Sequence, residues 1–218
     1  GVATAISNID TTLSAKENDR LDGLRVQDGI LNVTGDVKLS LTGEGENSYI
    51  LGINSTATGD WKTNNNNRPS SITIGGKTDI DIVSNYQRII GIQNNYNVNI
   101  ASEIASKIDF EDALDIDISN TSNYIGQFME GLYAHYSETN FEKDASIYVE
   151  NNRIGYSNNT GFSEDRIIAL NGDAEKTVVN FKGNTTLKYV NNANFEGAVN
   201  GITASGYGYV NFTGNEAT

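Results

Sequence analysis

The chain has 218 residues, and its 15 Lys and Arg stand against 28 Asp and Glu, which gives a formal net charge of −13 at pH 7. Nucleic-acid phosphates are bound by clustered Lys and Arg, so an acidic chain with scattered basic residues is not expected to bind nucleic acid. The absence of Cys excludes disulfides, thiol nucleophiles and cysteine-ligated metals.

The composition also indicates the structural class. Hydrophobic residues make up only 37 % of the chain, yet they fall at regular alternating positions, which disorder would not produce. The 22 Gly and about thirty Asn suit a β-protein rich in turns. No apolar run approaches the roughly twenty residues that a membrane-spanning helix needs, so this segment is not expected to insert into a membrane.

The predicted elements follow one another as copies of one unit. Each copy has an alternating strand, a bend, a second alternating strand, and then a Gly followed by an apolar residue. The copies read, in chain order, ILNVTGDVKLSLTG with YILGINS, SITIGGKTDIDIVSN with RIIGIQN, KIDFEDALDIDISN with MEGLYAH, FEKDASIYVENN with RIIALNG, and VVNFKGNTTLKYVNN with AVNGITAS. A unit of roughly 30–40 residues that recurs with loops of variable length predicts a solenoid.

Two sets of residues mark the copies. The first strands share one apolar anchor per copy, which is Val33, Ile74, Phe110, Phe141, Phe181 and Phe212 in turn. The Gly-apolar pairs begin at Gly52, Gly91, Gly131 and Gly201, and Ala169-Leu170 is predicted to fill the place between the last two. Variable spacing of this kind fits stacked strands joined by loops and does not fit paired helices.

The second strands alternate between apolar and polar residues. In VKLSL, DIDIVS and LDIDIS, and on both sides of Tyr148, every second residue is apolar. This period of two places one set of side chains inside and the other in water. Ordinary parallel sheets are covered on both faces, so the pattern leaves an antiparallel sandwich or a coiled sheet. The repeated unit of several strands favours the coil, and we predict an all-β parallel β-helix (β-solenoid).

The bend after each second strand carries Gly or Asn, the residues that tolerate left-handed backbone angles. The positions are Gly43, Asn85, Asn120, Asn151–Asn152 and Asn191–Asn192. If rungs stack about 4.8 Å apart, these side-chain amides can hydrogen-bond along the axis. Alternatively, Asn only marks the turns. The ladder predicts that the side chains of Asn120 and Asn151 lie on adjacent rungs at one corner.

Few residues point to chemistry. His135 is the only His, no G-x-S-x-G elbow accompanies it, and we expect a solvated residue at a strand end. A column of Asp81 and Asp117, with Lys38 one rung earlier, is the best candidate for a polysaccharide lyase or hydrolase. Pairing of charges between rungs explains that column equally well.

An acidic segment could suggest calcium. Its carboxylates are those of Asp109, Glu111, Asp112, Asp115 and Asp117. The segment lacks the D-x-[DN]-x-[DN]-G loop of a calcium site, so a solvated face is the expectation. We therefore predict no catalytic residue, no metal site and no cofactor.

One loop departs from the repeat. GDWKTNNNNRPSS, between Gly59 and Ser71, contains the only Trp and the only Pro. Solenoid insertions often supply binding surfaces, and Trp61 and Arg68 are residue types enriched in binding hot spots. The alternative is a polar loop with Trp61 folded over a strand edge. Outward Tyr148, Tyr156 and Tyr207 form a second candidate stripe for a sugar or a protein.

The strands VTGDVKLSL and DIDIVS, together with the units ILGINS, IIGIQN, EGLYAH, VNFKGN and VNGITAS, resemble passenger domains of bacterial autotransporters. The resemblance covers the chain from about Leu21 onward and is one of repeat style. It implies a right-handed parallel β-helix that a C-terminal barrel exports through the outer membrane. The usual roles of the family are adhesion, aggregation and host-surface binding. No catalytic motif of its protease or lipase members is present.

These expectations combine into one hypothesis and one alternative. Residues 1–20 are expected to form an N-terminal edge or capping segment, and residues 21–218 a single β-helix domain, a fragment of a longer passenger. The chain would be a non-enzymatic adhesin or aggregation passenger on the bacterial surface, with a host-cell or bacterial surface protein or glycan, or another copy of itself, as partner. The alternative is a carbohydrate-active β-helix, such as a lyase, a hydrolase or a phage tailspike fragment. A groove that gathers carboxylates around a basic side chain would favour this alternative.

Overall fold

The structure is a computed structural model, and its described residues are 1–5, 7–16, 20–45, 49–58, 69–85, 88–96, 106–120, 128–152, 164–192 and 198–218. Within these ranges, the side chains of residues 96, 164, 172–176, 198 and 205–207 are not described. All regular elements of the described residues are β-strands, numbered β1 to β17 in chain order. None of the described residues belongs to a helix that could span a membrane.

The strands form three parallel sheets that the chain visits in turn. The first sheet contains β1 (Val2–Ala5), β4 (Ile30–Val33), β7 (Ser70–Ile74), β10 (Ser106–Phe110) and β13 (Ser137–Phe141). The second contains β2 (Ile9–Ala15), β5 (Val37–Gly43), β8 (Thr78–Ser84), β11 (Leu114–Asn120), β14 (Ala145–Asn151) and β16 (Thr185–Asn191). The third contains β3 (Arg20–Gln27), β6 (Tyr49–Ala57), β9 (Arg88–Tyr96) and β12 (Phe128–His135). Two long strands, β15 (Glu164–Phe181) and β17 (Ala198–Phe212), run from the third sheet into the first.

This winding is a right-handed parallel β-helix, which confirms the predicted fold. Each strand pairs in register with the corresponding strand of the next rung. The predicted first-strand anchors pair with one another, from Val33 with Ile74 through Phe181 with Phe212. The strands β1 and β2 lie at the edge of this stack, where β1 pairs with β4 and β2 with β5.

The core runs along the axis in columns of like residues. In the second sheet, Ile80, Ile116 and Ile147 are fully buried and stack on one another. In the first sheet, the rings of Phe110, Phe141, Phe181 and Phe212 are stacked, with successive centroids 5.2, 4.6 and 5.1 Å apart. Repetition of one residue type per column lets each rung use the same rotamer and fill the same space.

The Gly-apolar motif marks the place where the third sheet approaches the second. A Cβ atom on Gly52 would lie 2.7 Å from Cγ2 of Ile80, and one on Gly91 would lie 2.8 Å from Cγ2 of Ile116. Carbon atoms in real structures do not approach so closely. The first residue of the motif is therefore Gly, because the isoleucine column of the second sheet occupies the space that a side chain would need. The same register position is filled by Gly23 on an earlier rung and by Ile167 on a later one. The prediction that Ala169-Leu170 fills this place is therefore wrong by two residues.

The corner between the first and second sheets is a three-residue turn held by side chains of Asn and Asp. Oδ1 of Asn8 accepts the backbone N–H of Asp36 at 3.0 Å, and Oδ1 of Asp36 accepts that of Lys77 at 2.9 Å. Oδ1 of Asp144 accepts the backbone N–H of Asn184 at 2.8 Å. Each such bond links one rung to the next, so the corner satisfies backbone donors that the sheets leave open.

The corner after the second sheet contains the predicted amide contact. Nδ2 of Asn120 donates to Oδ1 of Asn151 at 3.2 Å, and both residues are buried, which confirms that they lie on adjacent rungs. Asn151 pairs in register with Asn191 on the following rung. Asn85 does not belong to this column, because Ser84 is the residue that pairs with Asn120.

Candidate functional site

The binding residues proposed from the irregular loop cannot be placed. Trp61 and Arg68 lie outside the described residues, and so does Tyr156. Tyr207 belongs to β17, but its side chain is not described. Of the proposed tyrosine stripe, only Tyr148 is placed, facing outward on the second sheet, where Nζ of Lys188 lies 5.1 Å from its ring centroid.

The acidic segment that could suggest calcium is split between two faces. Asp109 lies on the outer side of the first sheet, whereas Asp115 and Asp117 lie on the outer side of the second. Glu111 and Asp112 occupy the turn between them. Among the described residues, no group of three His, Cys, Asp or Glu side chains is arranged to hold a metal ion.

The proposed catalytic column is only partly formed. Asp81 and Asp117 do stack on neighbouring rungs, as predicted. The residue one rung earlier in that column is Ser40, and Lys38 instead pairs with Asp79 in the adjacent column. The prediction of a lysine above Asp81 was wrong because the alternation was correct but its register was shifted by two residues.

Carboxylates therefore crowd the outer face of the second sheet. Loss of hydration raises the pKa of the Asp117 carboxyl, and the negative charges of Asp81, Asp115, Glu150 and Asp79 raise it further. The column of Asp117 reads Ser40, Asp81, Asp117, Tyr148 and Lys188 along the axis. Its only basic residue, Lys188, lies two rungs from Asp117, so the solvated carboxylates of this face repel one another.

Replacing Asp117 by Asn tests this repulsion. At neutral pH the variant should be slightly more stable than the parent, by at most about 0.5 kcal/mol. Because the folded-state pKa of Asp117 is raised, protonation favours the folded parent; this contribution is complete below the ordinary pKa of 3.8 and is lost as the pH rises through the folded-state value. Paired thermal melts from neutral pH to about pH 3 should show the advantage of the variant disappearing. A difference that does not change with pH would contradict this explanation.

The first sheet carries a groove along its outer face, with a volume of about 440 Å³, which we call the axial groove. Its floor is the column of Asp109, Asn140 and Asn180, from β10, β13 and β15. One wall comes from residues two positions earlier, Lys107 and Glu138, and the other from the turn residues Glu111, Glu142 and Lys182. Two lysines thus meet four carboxylates and two amides in one concave surface.

The floor of the axial groove is a continuous hydrogen-bond ladder. Nδ2 of Asn211 donates to Oδ1 of Asn180 at 2.8 Å, and Nδ2 of Asn180 donates to Oδ1 of Asn140 at 2.7 Å. Nδ2 of Asn140 then donates to Oδ1 of Asp109 at 2.7 Å and to Oε1 of Glu138 at 2.6 Å. All amides donate toward the N-terminal end, so the ladder terminates on a carboxylate, which strengthens and orders the chain of bonds.

Lys107 closes the ladder at that end. Its Nζ lies 3.2 Å from Oδ1 of Asp109 and 3.5 Å from Oε1 of Glu138. Partial burial lowers the pKa of the Lys107 ammonium, but the two carboxylates outweigh burial, and the pKa lies above its ordinary value. Lys107 is thus held in its protonated form at neutral pH.

The outer side of the third sheet contains a buried ion cluster. The Glu130 side chain is 3 % exposed and lies 3.1 Å from Nη2 of Arg88 and 3.3 Å from Nη1 of Arg166. The guanidinium of Arg88 also lies 5.2 Å from the ring centroid of Tyr133. His135, at the end of β12, is partly buried, and its Nδ1 is 2.9 Å from Oδ1 of Asn95. Paired charges of this kind hold neighbouring rungs together and need no ligand.

Comparison with known proteins adds nothing to this picture. No family model, no curated protein and no solved structure matches the chain. The axial groove was not predicted from the sequence, although a signal for it exists. Asp109, Asn140, Asn180 and Asn211 each directly precede a Phe of the stacked column. Successive residues of a strand face opposite sides, so the residue before each inward Phe must lie on the outer face. The recurring Asp or Asn at that position could therefore have predicted the ladder.

Proposed function

We propose that this chain is a non-enzymatic passenger of the autotransporter type, which presents a binding surface on a β-helical stalk at the bacterial cell surface. The observation that carries the proposal is the in-register parallel β-helix with apolar columns inside and charged or amide columns outside. Such a solenoid is a stiff rod whose outer faces and loops are available for contact. Export through the outer membrane and adhesion follow from the family resemblance.

The carbohydrate-active alternative finds one supporting observation. The axial groove does gather the carboxylates of Asp109 and Glu138 around a basic side chain, Lys107. A lyase needs a neutral base, however, and the pKa of Lys107 is raised, so its ammonium keeps its proton. A hydrolase needs two carboxyl groups, one of them free to protonate the leaving oxygen. Asp109, Glu138 and Glu142 are each paired with a lysine, which leaves Glu111 as the one groove carboxylate without such a partner among the described residues. The groove therefore supports binding better than catalysis.

The experiment is display of the 218-residue chain on a bacterium without adhesins, fused to an outer-membrane anchor. Adherence to host cells and settling of the culture are measured against the anchor alone. We expect increased adherence or faster settling, whereas no gain in either would contradict the proposal. When the purified chain is incubated with polysaccharides, we expect no new reducing ends and no unsaturated sugar products. Formation of either product would favour the carbohydrate-active alternative.

A further inference from the structure

The outer face of the first sheet continues one rung beyond the axial groove, onto β17. In register on β17, Asn211 follows Asn180 and Tyr209 follows Val178. Tyr209 therefore shares the outward column of Lys107 and Glu138, and it is 46 % exposed on β17, which pairs with a strand on one side only within the 218 residues. The outer face of the first sheet therefore combines an aromatic ring, an amide column and charged groups over four consecutive rungs.

These groups can bind hydroxyl-rich molecules. Asn180 and Asn211 each use their Nδ2 for one ladder bond, so each amide keeps a second N–H with no partner among the described residues. The carboxylates of Glu111 and Glu142 supply acceptors, and Lys182, paired with Glu142, supplies a donor. Neighbouring hydroxyls of a sugar need donors and acceptors side by side, and the apolar face of the sugar ring packs on an aromatic side chain.

Charge and spacing narrow the class of ligand. The groove holds four carboxylates against two lysines, in a chain of net charge −13, so a polyanion would be repelled. The amides of Asn140, Asn180 and Asn211 recur along the axis on successive rungs. Their strand spacing of roughly 4.8 Å is close to the length of one pyranose unit in an extended β-1,4-linked chain, so successive sugars can each meet an amide.

We propose that the axial groove, together with Asn211 and Tyr209, binds a neutral, extended, β-1,4-linked polysaccharide lying along the solenoid axis. This inference deepens the proposed function, on which it rests, by naming a face and a ligand class. The sugar packs on Tyr209 and hydrogen-bonds to the Asn180 and Asn211 amides, while the carboxylates of Glu111 and Glu142 accept from its hydroxyls.

The test is titration calorimetry of the purified chain with neutral hexasaccharides of β-1,4-linked glucose and of β-1,4-linked N-acetylglucosamine, and with a heparin hexasaccharide. We expect one neutral hexasaccharide to bind and heparin not to bind. Asn180→Ala and Tyr209→Ala should each weaken binding by about tenfold, the cost of a lost hydrogen bond or stacking contact. The matched control is Tyr49→Ala, which removes a tyrosine that is 43 % exposed on β6 of the third sheet and should leave binding unchanged. Circular dichroism of each variant checks that it folds.

Three results would overturn the inference. They are no binding of either neutral hexasaccharide, preference for heparin, and equal binding by the parent and both groove variants. Adherence of the displayed chain separates this failure from that of the proposed function. A displayed chain that adheres while the hexasaccharides fail to bind refutes only the groove, and a chain that binds them without adhering or aggregating refutes only the adhesin.

Discussion

Ile116→Asp should destabilise the chain by about 4 kcal/mol or more, the largest effect expected of any single substitution considered. Ile116 is fully buried in β11, an interior strand of the second sheet, between Ile80 and Ile147 on adjacent rungs. The aspartate would remove that apolar contact and place a carboxylate where no described basic side chain can reach it. The buried carboxylate would either stay ionised without a partner or take up a proton, and both outcomes oppose folding.

Damage should begin locally, because each rung of a solenoid contacts only its neighbours. Hydrogen exchange should therefore show loss of protection first in β8, β11 and β14, and urea denaturation should begin at a lower concentration. The matched control is Asp117→Asn, at the next residue of the same strand but on the outer face. If Ile116→Asp unfolded like the parent, the assignment of buried and exposed faces would be wrong.

The sequence was sufficient to predict the fold because three of its features follow directly from the winding. Period-two alternation identified the buried faces of the second sheet, including Ile80 and Ile116. The anchors from Val33 to Phe212 stack because each must occupy the same place in a circuit. Asn120 and Asn151 meet because side-chain amides on adjacent rungs satisfy each other.

Register was harder to predict where one copy departs from the repeat. Ala169-Leu170 is predicted to fill the place between the last two Gly-apolar pairs, but that register position belongs to Ile167. The pattern of one strand does not show this, because the space at that position is set by side chains of another sheet, as it is by Ile80 for Gly52 and by Ile116 for Gly91. The prediction that Lys38 lies above Asp81 was wrong because the register was shifted by two residues. A shift of two residues keeps every side chain on the same face, so period-two alternation does not reveal it.

The candidate site could not be derived in the same way. Its floor joins Asp109, Asn140 and Asn180, which are far apart in the chain and meet only when the register is known. Trp61 and Arg68 lie outside the described residues, so their binding role stays a prediction. The groove consists of ordinary residues whose significance comes from stacking.

Gly91→Ala should destabilise the chain by about 2–3 kcal/mol, a cost typical of overpacking in a core. The added Cβ would lie 2.6 Å from the carbonyl oxygen of Gly131 and 2.8 Å from Cγ2 of Ile116. One neighbour is backbone and the other a packed side chain, so the third sheet would have to move away from the second. The direction of the change in unfolding free energy is informative. Elsewhere in a strand, Gly→Ala stabilises a protein by about 0.5–1 kcal/mol, because it lowers the conformational entropy of the unfolded chain.

The chain contains its own control for this substitution. Gly201 occupies the equivalent register position on the last rung of the 218-residue chain, and a Cβ there would meet nothing within 4 Å. Gly201→Ala should therefore leave the free energy of unfolding unchanged or raise it slightly, as measured by urea denaturation of both variants beside the parent. Equal effects of the two substitutions would show that glycine is needed at these positions for its backbone conformation and not for the space it leaves. Opposite effects would show that the recurring Gly-apolar motif exists to admit the isoleucine column, which links the most regular feature of the sequence to the narrow cross-section of the solenoid.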